Sequence, residues 1–268
     1  MTYKSIGVIG AGNMGSAIVR GMLRRKLFRP SNVWVFDVLS EKSRNLAREL
    51  KVKCATDERD LARRSDVILL AVKPQNLQET ARGLAPLLKR GTGLLTILAG
   101  GSTQSIKKHF GAGFPVVRAM PNLAATVGEA VTAITGDKKL IPLARRVFEA
   151  CGQVMDIPEN LFHAVTALSG SGPAYYFYLM ELAANEARRL GFSDADARLL
   201  AKQTAKGAAL VASVSPASPG ELREQVTSKG GTTEAALRVL NEKRFPEIFS
   251  EAIQAAVHRG EELGKGGS

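Results

Sequence analysis

The 268-residue sequence has few of the residues that bind structural metals or cross-link a chain, with two cysteines and three histidines. Cys54 and Cys151 lie far apart, and the three histidines are scattered. Structural zinc sites require closely spaced Cys and His ligands, so we expect no metal site. Disulfides are rare in reducing compartments, and we interpret the cysteines as unpaired thiols rather than as a disulfide.

Long hydrophobic runs are also missing. No segment approaches the roughly 20 apolar residues that a membrane-spanning helix needs. The first residues, 1–7, lead directly into a glycine-rich segment and lack the apolar core of a signal peptide. These absences predict a cytoplasmic protein that has no membrane partner.

Acidic residues are the minority: 25 Asp and Glu stand against 37 Lys and Arg, for a formal net charge of +12. The basic residues are dispersed, as at Arg63 and Arg64, and no long basic run alternates with aromatic residues. We therefore interpret the charge as a surface that attracts small anions and expect no nucleic-acid partner. A nucleic-acid binder remains the alternative, and a salt-sensitive gel shift is its minimum requirement.

The apolar content of 45% excludes a disordered chain. Strands alternate with helices in the first half, a pattern typical of a mostly parallel sheet with right-handed crossovers. The predicted helices cover residues 14–27 and 41–50. The predicted strands cover residues 5–9, 32–37, 66–72, 93–98, 115–120 and 130–135.

The composition changes after Pro158, where the chain becomes rich in Ala and Leu with helical periodicity. Gly191 is placed to end one helix, Ser193 to cap the next and Pro219 to open another. We therefore predict an α/β domain over residues 1–159, followed by an all-α domain over residues 160–268.

A glycine motif directly follows the first predicted strand and opens a helix. Gly10 permits a tight turn, Gly12 lets the backbone approach a pyrophosphate, and Gly15 allows the helix to pack closely on the strand. Because the motif has the required strand before it and helix after it, it predicts dinucleotide binding rather than a merely structural turn.

The second strand ends at Asp37, where an acidic side chain usually accepts hydrogen bonds from the adenosine ribose of NAD. Nearby Ser40, Lys42 and Arg44 offer the opposite preference, because they could hold the 2′-phosphate of NADP. The sequence leaves the choice open, together with the alternative that Asp37 contacts no ligand.

Three short segments follow later strands at the edge of the sheet where ligands bind, namely 71–75, 99–101 and 120–122. In the helical half, two segments rich in Gly and Ser stand out. Residues 169–174 indicate close packing or a close ligand, because glycine inside a helix costs about 1 kcal/mol relative to alanine. Residues 226–233 lead into a helix, which suits either an anionic carboxylate or a plain helix cap.

Taken together, the segments GAGNMGSAI, AVKPQ, RAMPN, SGSGPAYYF and VTSKGGTTEAALRVLN resemble the pyrroline-5-carboxylate reductase family over nearly the whole chain. The resemblance implies an N-terminal Rossmann dinucleotide-binding domain and a C-terminal helical domain that intertwines with a second subunit. It implies reduction of (S)-1-pyrroline-5-carboxylate to L-proline, the final step of proline biosynthesis, with NADPH or NADH as cofactor.

The resemblance also implies roles for individual residues. Thr233 would hydrogen-bond the ring nitrogen of the substrate as the catalytic residue. The substrate carboxylate would be bound by Ser228, Gly230, Gly231, Thr232 and Thr233. The cofactor would be lined by Gly10, Ala11, Gly12, Asn13, Met14, Gly15, Asp37, Ala71, Val72, Lys73, Pro74, Ala99 and Gly100.

The sequence departs from the pattern of many relatives at three places. Lys229 replaces a proline in the substrate loop, which bears on the rigidity of that loop. Asp37 stands where many relatives carry a more basic segment, and Glu58 stands where Asn is frequent. Both acids would disfavour a neighbouring phosphate.

Two other functions are the alternatives to this reductase. A β-hydroxyacid dehydrogenase would carry a lysine where this chain has Tyr176, which argues against alcohol oxidation. A non-catalytic NAD(P)-sensing protein is the second, and the intact GGTT segment argues against it. The apolar surface of residues 205–214 predicts an obligate homodimer, or a larger ring of dimers.

Overall fold

The computed structural model describes residues 3–265. The chain divides into two compact units: the described parts of 1–171 and 256–268 form the first, and 172–255 form the second. The predicted domain boundary after residue 159 remains a prediction, and residues 1–2 and 266–268 of the two predicted domains lie outside the described residues.

The first unit is built on one eight-stranded sheet with the order β3-β2-β1-β4-β5-β6-β7-β8. The first six strands are parallel, β7 runs antiparallel to β6, and β8 is parallel to β7. The strands are β1 (Ile6–Ile9), β2 (Val33–Phe36), β3 (Lys53–Cys54), β4 (Val67–Leu70), β5 (Gly93–Thr96), β6 (Val116–Met120), β7 (Ala130–Gly136) and β8 (Gly152–Asp156).

Helices cover both faces of this sheet, as a parallel sheet requires. The helices that lie within the first unit are α1 (Asn13–Arg24), α2 (Ser40–Leu50), α3 (Glu58–Arg64), α4 (Leu77–Leu84), α5 (Thr103–Phe110), α6 (Ile141–Glu149) and α7 (Phe162–Val165).

Each face of the sheet has its own hydrophobic core. On one face, Ile18 of α1 and Phe148 of α6 pack with strand residues such as Val8. On the other, Leu61 of α3 and Leu84 of α4 pack with strand residues that include Ile68 and Leu94. Strands buried on both sides read as continuous apolar runs, which is why the sequence revealed them.

The order of the strands creates the crevice in which the candidate site lies. The chain moves outward from β1 to β2 and β3, then returns to place β4 on the other side of β1. The loops after β1 and β4 therefore leave the sheet in opposite directions, and ligands of such sheets bind in the opening between them.

The sequence prediction missed two strands. β3 is only two residues long, and β8 is exposed or half-buried along its length, so neither shows a continuous apolar run. The six predicted strands are all present, each with bounds shifted by at most a few residues. The alternation of strands and helices thus identified the α/β class correctly.

The second unit is helical. Its helices are α8 (Gly172–Arg189), α9 (Asp194–Val214), α10 (Pro219–Gln225), α11 (Thr232–Glu242) and the first part of α12 (Phe245–Lys265), which continues into the first unit. The capping predictions are confirmed: Ser193 caps α9, Pro219 opens α10 and Gly191 has a φ of +96° after α8.

No helix among residues 3–265 is long and apolar enough to cross a membrane.

We expect Ser218→Ala to lower the free energy of unfolding by about 1 kcal/mol, because it removes the hydroxyl acceptor of a capping box at the start of α10. The Ser218 hydroxyl accepts a hydrogen bond from the Glu221 N–H at 3.2 Å, and the Glu221 carboxylate accepts one from the Ser218 N–H at 2.6 Å. Urea unfolding followed by circular dichroism measures the change. Ser213→Ala is the control, since that hydroxyl lies in the last turn of α9 and caps no N-terminus. An equal loss in both variants would contradict the capping role.

Candidate functional site

The glycine loop after β1 has the geometry that its sequence predicts. Gly10 has a φ of +102°, and a side chain there would collide with the Ala71 carbonyl oxygen. A side chain at Gly15 would collide with the Gly10 carbonyl oxygen. Gly12 differs, because a Cβ atom built on it meets nothing within 4 Å. Two glycines are therefore required by the fold, whereas Gly12 faces open space.

Helix α1 begins at this open space. Gly12 is its N-cap residue and provides no side-chain cap. The first N–H groups of a helix have no partner within the helix, and the helix dipole adds a partial positive charge there. The loop therefore has the geometry and charge to hold a pyrophosphate.

Asp37 is held in place by two backbone hydrogen bonds. Its Oδ2 accepts from the Ala11 N–H at 2.8 Å, and its Oδ1 accepts from the Leu39 N–H at 2.9 Å. Each carboxylate oxygen has a further lone pair, so the side chain can still accept hydrogen bonds from a ligand. The side chain is half-buried at the carboxyl end of β2.

A cavity of about 710 Å³ lies over these loops. It is bounded by the ends of β1, β2 and β4 and by one side of α4. Its lining residues are Ile9, Gly10, Gly12, Phe36, Asp37, Val38, Leu39, Lys42, Glu58, Ala71, Val72, Lys73, Gln75, Asn76, Glu79, Thr80 and Gly83.

Two glutamates add negative charge to this cavity. Glu58 begins α3, and burial raises the pKa of its carboxyl, with further increases from the nearby charges of Glu79 and Asp57. The Glu58 carboxylate lies against Gly83, where a side chain would displace it. The charges of Glu79 and Asp57, which add to the effect of burial on Glu58, also oppose the arrival of another anion.

Helix α4 contributes lining residues that the sequence does not predict. Asn76, Glu79, Thr80 and Gly83 line the cavity from the helix and the turn before it. Asn76 and Glu79, like Thr80 and Gly83, are three residues apart, which places them on one side of a helix that follows a ligand-binding loop. That spacing is the signal available in the sequence.

The remaining predicted cofactor residues do not line the cavity. Ala11, Asn13, Met14 and Gly15 belong to the glycine loop and the first turn of α1, and Pro74 lies between two lining residues. Ala99 and Gly100 follow β5, and Gly100 faces the backbone of Leu263 and Gly264. Their contacts with a cofactor remain predictions.

The predicted substrate loop belongs to the second unit. Gly230 has a φ of +73°, and its N–H donates to the Glu234 carboxylate at 2.7 Å. The Gly231 N–H donates to the Ser228 carbonyl at 3.0 Å, and Gly231 is the N-cap of α11. Thr232 and Thr233 are the first residues of that helix. The five predicted residues are thus gathered at one helix N-terminus, with Thr233 half-buried and Thr232 exposed.

The other Gly- and Ser-rich segment is explained in part by packing. Residues Thr166–Gly170 form a turn of π-helix, in which the Ser171 N–H donates to the Thr166 carbonyl at 2.8 Å. A side chain at Gly170 would collide with Met120, and the Asn122 amide donates to the Ser169 hydroxyl at 3.3 Å. The segment therefore packs tightly on the loop that follows β6.

Neither metal ligation nor a disulfide is found in the described part of the chain. Residues 3–265 contain no group of three or more His, Cys, Asp or Glu side chains placed to hold a metal. Both cysteines are unpaired, and burial raises the pKa of the Cys151 thiol to about 11. That thiol is therefore protonated near neutral pH and is a poor nucleophile.

Two sequence families match the chain. Residues 159–263 match the family described as pyrroline-5-carboxylate reductase dimerisation. Residues 5–100 match the family described as NADP oxidoreductase, coenzyme F420-dependent.

Individual proteins match over almost the full length. The pyrroline-5-carboxylate reductase of Methanosarcina acetivorans is 38% identical, with 99% of this chain and 100% of that protein covered. The solved structure of a pyrroline-5-carboxylate reductase from Coxiella burnetii has a TM-score of 0.90 at 35% identity, covering 98% of this chain and 99% of that one. That of Plasmodium falciparum pyrroline carboxylate reductase with NADP bound has a TM-score of 0.86 at 25% identity, covering 97% and 98%.

Proposed function

This chain belongs to the pyrroline-5-carboxylate reductase family, and from that premise we propose that it reduces (S)-1-pyrroline-5-carboxylate to L-proline with NADPH or NADH. The observation that carries the proposal is full-length similarity in a chain whose glycine loop, Asp37 and α1 N-terminus border a cavity of about 710 Å³. The reaction is the final step of proline biosynthesis.

The cavity fits a nicotinamide dinucleotide. The open space at Gly12 accepts a pyrophosphate, whose charge the α1 N-terminus favours, and Asp37 is oriented to accept hydrogen bonds from a ribose. When bound, the reduced cofactor supplies the hydride. We assign the cofactor contacts to the glycine loop, to Asp37, to the loop after β4 and to the Ala99–Gly100 turn.

We assign the substrate to the N-terminus of α11. Backbone N–H groups there favour a carboxylate, and the hydroxyls of Ser228 and Thr232 add donors. Thr233 would hydrogen-bond the ring nitrogen and stabilise the amine that develops as the carbon–nitrogen double bond is reduced. It is the catalytic residue in this proposal.

The proposed reaction does not require a strong general acid from the protein. A cyclic imine can take up a proton from water before hydride transfer, so its carbon is already electrophilic. The substrate loop, residues 226–233, has no His, Tyr, Asp or Glu that could act as a general acid. The protein is therefore required to position the reactants and to stabilise charge.

A spectrophotometric assay tests the proposed function. Oxidation of NADH or NADPH at 340 nm should depend on added pyrroline-5-carboxylate, and proline should accumulate in equal amount. Oxidation without proline formation, or no oxidation with either cofactor, would refute the proposal. Turnover would also exclude a purely sensory protein.

We further propose that the protein is a homodimer, or a ring of dimers, assembled through the second unit. The structure describes all of residues 172–255, and the only hydrophobic side chains buried there are those of Ala184, Ala187, Ala197 and Ala201. Large apolar side chains are exposed instead, including Tyr176 at 65% and Val214 at 83%. A unit without a core of large side chains needs a partner to bury them.

Light scattering tests the assembly. We expect a dimer or a multiple of a dimer at micromolar concentration, and a stable, active monomer would contradict the proposal. Val214→Glu places a charge on the exposed apolar surface and should weaken assembly, whereas Glu129→Gln in the first unit should leave the mass unchanged.

We also propose a compartment, a set of partners and a division of roles between the two predicted domains. Two unpaired thiols suit a reducing compartment, so we place the protein in the cytoplasm. We propose no nucleic-acid or membrane partner, since the ligands of the reaction are small molecules. The functional division that we propose assigns the cofactor to residues 1–159, and the substrate and dimer contacts to residues 160–268.

A further inference from the structure

We propose that the dinucleotide cavity selects NADH over NADPH, because the carboxylates of Asp37, Glu58 and Glu79 line it and Asp37 lies where the adenosine ribose would bind. The inference rests on the proposed function only in taking this cavity as the cofactor site. The comparisons name NADP, in one matched family and in the Plasmodium falciparum structure, so the proposed preference departs from these similar proteins and comes from the residues of this chain.

Asp37 discriminates through hydrogen bonding. Its two backbone bonds, from the Ala11 and Leu39 N–H groups, hold the carboxylate at the end of β2. An ionised carboxylate can only accept hydrogen bonds. The ribose 2′-hydroxyl of NADH offers a proton to it, whereas the 2′-phosphate of NADPH near neutral pH brings negative charge and acceptor oxygens.

Glu58 and Glu79 discriminate through charge. α3, which Glu58 begins, packs against β2, so Glu58 lies on the same side of the cavity as Asp37. Glu79 lines the cavity from α4, which packs against α3. The raised pKa of Glu58 has the charge of Glu79 among its causes, which reveals a negative potential at this point of the cavity. A phosphate placed there would meet the same repulsion.

The basic residues near Asp37 do not neutralise the negative charge that disfavours a 2′-phosphate. Arg44 donates to the Ser40 hydroxyl at 2.9 Å and does not line the cavity. Lys73 lines it from the loop after β4, and β1 separates that strand from β2. Among the described residues, Lys42 is then the one cation that lines the cavity from the β2 side, where Asp37 and Glu58 supply two carboxylates.

Equilibrium binding tests the proposal without relying on turnover. Fluorescence titration of the full-length protein should show NADH binding at least about tenfold more tightly than NADPH, the size expected for one uncompensated charge contact near a surface. 5′-ADP and 2′,5′-ADP represent the adenosine halves of NADH and NADPH, respectively. In competition experiments, 5′-ADP should bind more tightly than 2′,5′-ADP.

Two variants locate the source of the preference. Glu58→Gln removes one negative charge and should tighten NADPH binding by about fivefold to tenfold, with NADH binding changed less than about twofold. Glu129→Gln removes one negative charge from an exposed position that does not line this cavity and should change neither affinity. Equal effects of the two variants would attribute any preference to net charge and overturn the assignment to Glu58.

Other outcomes separate this inference from the proposed function. Equal or tighter NADPH binding by the wild-type protein overturns the preference, even if pyrroline-5-carboxylate is reduced. Selective NADH binding without imine reduction supports the preference and refutes the function. Failure to bind either dinucleotide overturns both.

Discussion

Gly12→Ala is expected to weaken NADH binding by roughly a hundredfold, while the free energy of unfolding falls by less than about 1 kcal/mol. The added methyl group meets no atom of the protein within 4 Å, so the fold accepts it. It does enter the space assigned to the pyrophosphate, where hydrogen bonds to charged groups contribute about 1.5–3 kcal/mol each. Losing one or two of them gives the expected loss.

Gly15→Ala is the matched control for this prediction. It makes the same chemical change in the same motif, but the new methyl group collides with the Gly10 carbonyl oxygen. We expect that variant to lose about 2–3 kcal/mol of stability in the absence of cofactor, as overpacking does. Urea unfolding and fluorescence titration measure the two effects. A Gly12→Ala protein that binds NADH normally would remove the pyrophosphate from this position.

Thr233→Ala is expected to lower kcat/KM for pyrroline-5-carboxylate by roughly tenfold to a hundredfold. The reason is the loss of a hydrogen bond to a nitrogen whose charge changes during the reaction, equivalent to about 1.5–3 kcal/mol of transition-state stabilisation. Thr233→Ser keeps the hydroxyl and should retain most of the activity. Steady-state kinetics at saturating NADH measures the effect, and NADH affinity should be unchanged.

Thr227→Ala supplies the control for the substrate loop. Its hydroxyl donates to the Arg223 carbonyl at 2.6 Å and so is engaged within the protein. We expect a modest loss of stability and little change in kcat/KM from this variant. If Thr233→Ala leaves kcat/KM unchanged, Thr233 has no part in the mechanism. If both variants lose activity equally, the loop is sensitive to any threonine replacement.

Part of the candidate site could be predicted from the sequence, as three of its residues illustrate. The sequence predicts steric roles for Gly10 and Gly15, and the collisions that a side chain would make there confirm them. Asp37 directly follows β2 as predicted, but its hydrogen bond from the Ala11 N–H could not be foreseen, because that bond depends on how the glycine loop folds back. Roles that require a bound substrate, such as that of Thr233, remain predictions.

The glutamates on the α3 and α4 side of the cavity could not be predicted from the sequence as neighbours. Glu58 and Glu79 lie on different helices, and no sequence spacing relates them. They line one cavity because β3 and β4 lie on opposite sides of β1 and β2, so that the helices α3 and α4 pack side by side. Their mutual repulsion is a consequence of that packing.

The sequence by itself determined the α/β class, the dinucleotide motif, the change to a helical second half and the family resemblance. These are local properties, set by hydrophobic periodicity, by glycines at fixed spacing and by capping residues. Only the tertiary structure decided which distant side chains share the cavity and that the helical unit lacks a core of large side chains. The physical reason is that electrostatic and packing energies depend on distances in space, and these are established only when the crossovers bring remote segments together.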